Sequence, residues 1–245
     1  KMFSNWKSKK PTVTFATSKT LVDALPHPRP AAKFMPKWLQ AMEKNGDKSV
    51  HASKPTIKSC LPVIEAVSNG YIIPLWADLI IKIDETNSLY AEFSGNITKE
   101  LGHEMLTCQL QEEIGQNNGL TNMSVHGIPL KFSTPWDIIT PPGYSVLIKS
   151  PPYVDHNIHI LEGVVDTDTY TIAINFPFVW TGRERGEWLI PRGTPIAQVI
   201  PFKRIETRLE IAVADKTRRE TNKHLLNSIR VDKYRKLFWH KRKGE

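Results

Sequence analysis

The stretch that decides the fold is Leu161–Phe178, LEGVVDTDTYTIAINFPF. Runs of β-branched and aromatic residues flank Asp166, Asp168 and Tyr170. Such runs, bounded by turn-forming residues, read as strands. The spacing predicts a hairpin carrying two carboxylates and a tyrosine at its turn. Aspartate holds turns by accepting backbone hydrogen bonds. The pair therefore has a structural reading beside a chemical one. Tyr170 likewise reads as a half-buried strand aromatic or as a surface platform.

The same texture continues outward. IPLKFS (Ile128–Ser133), WDIIT (Trp136–Thr140), YSVLIKS (Tyr144–Ser150), NIHILEGVV (Asn157–Val165), EWLIP (Glu187–Pro191) and PIAQVIPFK (Pro195–Lys203) are strand-like. Pro141–Pro142–Gly143 and Arg192–Gly193 punctuate them as turns. Upstream, TVTFAT (Thr12–Thr17), YIIPLWADLIIKID (Tyr71–Asp84) and SLYAEFSG (Ser88–Gly95) read the same way. Many short strands without alternating helices argue a mainly β (α+β) fold, a barrel, jelly roll or related clip of sheets.

The flanks differ. LPHPRPAAKFMP (Leu25–Pro36) is expected to be extended, because each proline disfavours helix at the residue before it. KWLQAMEKN (Lys37–Asn45) reads as a short helix stopped by Gly46. In TIKSCLPVIEAVSNG (Thr56–Gly70), Leu61, Ile64 and Val67 recur at helical spacing and Gly70 follows as a stop. Thr221–Lys241 sets Leu225, Leu226, Ile229, Tyr234, Leu237 and Phe238 near one face, an amphipathic C-terminal helix with a basic outer side. Residues 97–125 fit either a short helix and loop or an insertion between strands. The expected division is 1–70 (basic arm, proline-rich connector, short helices), 71–206 (β domain) and 207–245 (basic helical arm).

Of the 245 residues, 40% are hydrophobic and 24% charged, enough apolar content for a packed core and against global disorder. No apolar run approaches the roughly 18 residues of a membrane-spanning helix. The opening KMFSNWKSKK has no apolar segment of signal-peptide type. A cytoplasmic location is expected, the host cytoplasm or the virion if the protein is viral. Cys60 and Cys108 form no metal or disulfide pattern and are expected to be buried thiols. His156 and His159, three apart on an expected strand, point to opposite faces and make a poor metal pair. Trp136, Trp180 and Trp188 are expected in the core or an interface.

Charge is uneven. Residues 1–10 hold four lysines and no acid, and residues 203–245 hold 14 basic and 6 acidic residues. These ends carry +12 of a formal net +8, which leaves about −4 on residues 11–202. Basic ends can bind nucleic acid or an acidic protein surface, pack on neighbouring subunits, or stay solvated.

Read as one unit, Thr140–Arg204 resembles the core of the trimeric dUTPase and dCTP deaminase superfamily, the β-clip fold. Pro142, Gly143 and Tyr144 match the start of its PxGYxxxxxxRS strand, and Ser150 the serine. Gly163, Val165, Asp166 and Tyr170 match GxIDxDY with one extra residue before the tyrosine. Asn175 matches the strand that follows, and Gly193, Ile196, Ala197 and Gln198 match GxxIAQ. WADLIIKI resembles the AGYDL strand, with Asp78 at the acidic position. A fainter resemblance, to proteins encoded by tailed bacteriophages, implies no activity.

The superfamily resemblance implies a distorted β barrel in a homotrimer whose pocket closes only when copies associate. It implies Asp166 as the base polarising an attacking water, Tyr170 as the ring against a deoxyribose, and Ser150, Lys149 and Gln198 toward phosphate. Mg²⁺ would neutralise the triphosphate, with Asp78 as an outer ligand. Those residue types suit the chemistry: a carboxylate one water from phosphorus can serve as base, and a hard cation offsets phosphate charge.

This chain departs from the pattern. Lys149 stands where the family has arginine and cannot give its bidentate fork. Pro151 and Pro152 follow Ser150 and supply no N–H. No glycine follows Tyr170 directly, and the C-terminal HKRKGE lacks a glycine-rich closing motif. Three functions follow: a nucleotide-binding homo-oligomer with weak or no pyrophosphatase activity, a phage structural or assembly protein on the same scaffold, or an active Mg²⁺-dependent dUTP or dCTP hydrolase.

Overall fold

The computed structural model describes residues 10–46, 55–95, 104–109, 111–115, 119, 129–227 and 239. The expected N-terminal basic residues 1–9, most of 97–125 and the C-terminal residues 228–238 and 240–245 lie outside them. In chain order the strands are β1 (Thr14–Ala16), β2 (Arg29–Pro30), β3 (Tyr71–Pro74), β4 (Leu79–Ile83), β5 (Leu89–Phe93), β6 (Leu106–Cys108), β7 (Leu130–Ser133), β8 (Asp137–Ile139), β9 (Tyr144–Lys149), β10 (Ile158–Ile160), β11 (Gly163–Val165), β12 (Asn175–Trp180), β13 (Gly186–Ile190) and β14 (Pro195–Lys203). The helices are α1 (Lys19–Val22), α2 (Lys37–Ala41), α3 (Leu61–Ser68), α4 (Gln111–Ile114) and α5 (Lys216–Asn227).

All strand pairs are antiparallel. They make four sheets, β1-β8, β10-β12-β7-β6, β11-β9-β14-β3-β2 and β13-β4-β5. The mainly β expectation holds, but among the described residues these sheets do not close into a barrel. YIIPLWADLIIKID shows why. It is two strands, β3 in the five-stranded sheet and β4 in the three-stranded one. The crossing between them, Leu75–Trp76–Ala77, is buried.

Contacts divide the chain into two compact units, Lys1–Phe34 with Val67–Arg204, and Met35–Ala66 with Ile205–Glu245. β1 pairs with β8 and β2 with β3, so Thr14–Ala16 and Arg29–Pro30, expected ahead of the β domain, join its sheets. The connector is extended only to Pro30 and then winds into a 3₁₀ turn at Ala31–Phe34.

In the β unit, Trp76 meets Phe132 edge-on at 5.6 Å and Phe132 stacks on Phe178 at 4.0 Å. Trp136 and Trp180 are buried, and Trp188 packs against the same cluster. Gly70, at φ +70, ends α3 as expected and brings the chain against β14, where an added Cβ would lie 2.2 Å from the Val199 carbonyl oxygen. In the second unit, α2 stops at Ala41, short of Gly46. Helix α5 begins at Lys216, five residues earlier than the pattern predicts, because the Asp215 carboxylate accepts the Thr217 N–H at 3.2 Å. The two cysteines are exposed, not buried; each sits at the rim of an element, Cys60 just before α3 and Cys108 at the end of β6.

Candidate functional site

Leu161–Phe178 is not a hairpin. β11 pairs with β9, while β12 pairs with β10 and β7, so the runs on either side of the turn enter different sheets. The physical reason lies in Asp166–Tyr170. The Asp166 carbonyl accepts the N–H of Thr169 at 3.1 Å and of Tyr170 at 2.9 Å, a single helical winding that turns the chain away. Tyr170 and Ile172 are consequently exposed, and strand structure resumes only at Asn175.

Three side chains of the winding anchor it. The Thr167 hydroxyl, buried, shares a 2.8 Å hydrogen bond with the Thr140 hydroxyl. The Asp168 carboxylate accepts the Gly143 N–H at 2.8 Å, inside the Pro141–Tyr144 turn that Gly143 closes at φ +80. Asp168 also takes both arms of the Arg204 guanidinium, at 2.9 and 2.5 Å. Arg204 hydrogen bonds and the Gly143 N–H hold its carboxyl well below the usual range, at about 2. Asp168 is covered, with 6% of its side chain exposed.

Asp166 is arranged differently. Its side chain is 59% exposed, yet one oxygen accepts the Ser145 hydroxyl at 2.6 Å and lies 3.2 Å from the same guanidinium. Arg204 also donates to Ser145 Oγ at 3.0 Å. The arrangement fixes an accessible carboxylate four residues before Tyr170, which is itself 39% exposed. Arg204 and Ser145 are missing from the sequence expectation. Arg204 reads there as the start of a basic tail, and its partners stand 36 and 38 positions away.

The other expected residues gather at the opposite end of β9 and β14. Ser150 Oγ accepts the Ile160 N–H at 2.7 Å and lies 3.4 Å from His159 Nδ1. The half-buried Lys149 ammonium donates to the Ser150 carbonyl at 2.7 Å. Burial lowers its pKa, and the nearby Glu162 carboxylate opposes that shift. Gln198 faces Lys149 across the ladder, fully buried, and donates its amide to the Asn69 carbonyl at 2.7 Å. His156, in the loop before β10 and not on a strand, bonds the Pro195 carbonyl at 2.8 Å. Asp78 lies just before β4, and its carboxylate reaches the turn before β14, where it accepts the Arg192 N–H at 2.6 Å.

Register fixes the spacing. Val165 faces Val146, which brings Asp166 to Ser145, and five residues along β9 separate Ser145 from Ser150. That is about 17 Å at strand rise. Between the two ends, Val164, Leu147 and Ile200 lie side by side on the outer face of the sheet. One copy therefore holds a carboxylate end and a cationic end, with an apolar strip between. A separate groove of about 600 Å³, lined by Ile80, Lys82, Tyr90, Glu92 and Glu187 among others, contains none of these residues.

No protein-family model and no curated sequence matches the chain. Among solved structures, a mutant of the Staphylococcus bacteriophage 80alpha dUTPase aligns over 84% of this chain and 98% of its own, at 12% identity and TM-score 0.38. The native EIAV dUTPase aligns over 60% and 85%, at 13% identity and TM-score 0.31. A mutant dUTPase from phage phi11 of S. aureus, described for its structural Mg(II) ion, aligns over 44% and 97%, at 15% identity and TM-score 0.27. These scores lie below 0.5, and the roles below rest on this chain's own residues.

Proposed function

We propose that this chain is a dUTPase-like nucleotide-binding protein whose sites complete between copies, with weak or no pyrophosphatase turnover. The observation that carries the reading is Asp166, a carboxylate more than half exposed yet held by Ser145 and Arg204, four residues before the exposed Tyr170. A fixed, accessible carboxylate can orient a sugar hydroxyl or an attacking water. Tyr170 offers a face to a deoxyribose. Ser150 and Lys149 of another copy supply a hydroxyl and a cation for phosphate. Gln198 supports that end through Asn69, since its amide is buried and committed there.

Mg²⁺ would arrive on the triphosphate. Among the described residues no group of three or more His, Cys, Asp or Glu side chains can hold an ion. In this reading the ion is held mainly by phosphate oxygens and water, with Asp78 at its outer shell. When bound it supplies neutralisation of phosphate charge.

Calorimetric titration with dUTP and dCTP in the presence of Mg²⁺ tests the reading. Binding is expected, weakened about tenfold or more in Asp166→Asn, the loss of one charge-assisted contact. No heat and no thermal shift with either nucleotide at millimolar concentration would end it. Pyrophosphate release is expected to match that of the same variant; a rate about 100-fold above it, the scale of general base catalysis, would make the protein an active hydrolase. A second reading, an assembly role, is favoured by the exposed segment after β14.

A further inference from the structure

The outer face of the three-stranded sheet carries the groove of about 600 Å³. β4 buries Leu79, Ile81 and Ile83, which turns Ile80 and Lys82 outward. Register lays two rows of side chains across the sheet, Glu187–Lys82–Tyr90 and Leu189–Ile80–Glu92. Tyr90 is 57% exposed and Leu189 60%. Apolar side chains gathered on an open face and rimmed by charge mark an interaction surface.

The charge in the groove is lopsided. Asp84, Glu92 and Glu187 line it against one cation, Lys82. Asp84 spends its carboxylate on its own turn, where it accepts the N–H of Thr86 at 2.8 Å and of Ser88 at 2.9 Å. Among the described residues, Glu92 and Glu187 enter no ion pair.

We propose that this groove seats the lysine-rich residues 1–10 of the same chain. Those residues carry four lysines and no acid, the complement of the groove. They belong with the groove to one compact unit, whereas the basic residues after Arg204 belong to the other. From Thr14 back to Phe3 the chain reaches about 36 Å fully extended, about the width of a unit this size. Laid extended, the segment sends Phe3, Lys7 and Lys9 to one side. Lys7 and Lys9 then stand about 7 Å apart, and Glu92 and Glu187, on opposite outer strands, about 12 Å. Two long lysine stems span that difference. Single surface ion pairs hold little, so Phe3 against Tyr90 and Leu189 is part of the fit. Nucleotide binding plays no part in this inference, and a protein that binds no nucleotide keeps it.

Carbodiimide cross-linking of the full chain, mixed with an equal amount of heavy-isotope-labelled chain and mapped by mass spectrometry, tests it. Links from Lys7, Lys9 or Lys10 to Glu92 and Glu187 are expected within single copies. They should fall about fivefold or more in about 1 M salt, which screens exposed charges. Glu92→Gln should cut the remaining links to Glu187 about threefold, although Glu187 keeps its carboxylate. Phe3→Ser should weaken both sets of links while every reactive group stays. Links spread evenly over carboxylates elsewhere, links only between light and heavy chains, or links to Glu187 unchanged in both variants would overturn the inference.

Discussion

At the scale of single residues, the molecule separates two aspartates two positions apart by what they can reach. Asp168 is covered and doubly held by Arg204; Asp166 is exposed and held on one side. The depressed Asp168 carboxyl has a pH consequence. Its folded pKa of about 2 lies below the unfolded value of about 3.9. Above both, the pair contributes its full stabilisation; as pH falls through this window the unfolded state binds the proton first and the stabilisation is lost. Urea unfolding at pH 7 and pH 3 should show a smaller pH 3 loss for Asp168→Asn than for the native chain. Some loss remains in the variant, because hydrogen bonds from Thr86 and Ser88 also lower Asp84. Arg204→Lys should weaken the fold and loosen Asp166 together, since an ammonium cannot span Asp168, Asp166 and Ser145 at once. Thermal melting and nucleotide affinity should fall in parallel. The aspartates were legible as turn residues because their spacing is local. Arg204 was not, since nothing near it in sequence marks it as their partner.

At the scale of elements, the alternation of Thr171–Ala173 resembles a strand as closely as β12 does, yet only β12 finds partners. The winding at Asp166–Tyr170 decides, and it depends on Thr140 and Gly143, more than 20 residues upstream. Short-range pattern shows that strands exist here; it does not show which sheet each enters. It did locate nearly every strand of 130–203, because each has β-branched residues between Pro or Gly turns. The end of α3 was legible at Gly70, whereas α2 stops before Gly46 and the start of α5 is set by a side-chain cap at Asp215. Gly70→Ala must meet both a left-handed backbone, costing about 1–2 kcal/mol, and the Val199 carbonyl. It should lower the melting temperature by more than the backbone cost alone gives. Phe132→Ala empties the centre of the aromatic stack and should cost about 3–5 kcal/mol in chemical unfolding.

At the scale of the whole molecule, the two polar ends of β9 pose a geometric demand. About 17 Å of strand separates Ser145, which holds Asp166, from Ser150. In the proposed function a nucleotide that uses both takes one end from each of two copies. Asp166→Asn leaves the Ser150 end in place, so it should keep whatever association light scattering shows for the native chain and lose nucleotide affinity. The melting temperature should carry the same signature, because whatever binds only the folded state raises it as its concentration rises. The native chain should melt higher with dUTP, and Asp166→Asn should lose that rise. A native chain that runs as a monomer yet still gains stability from dUTP would mean that one copy can present a complete site, and the division of that site along β9 would be wrong.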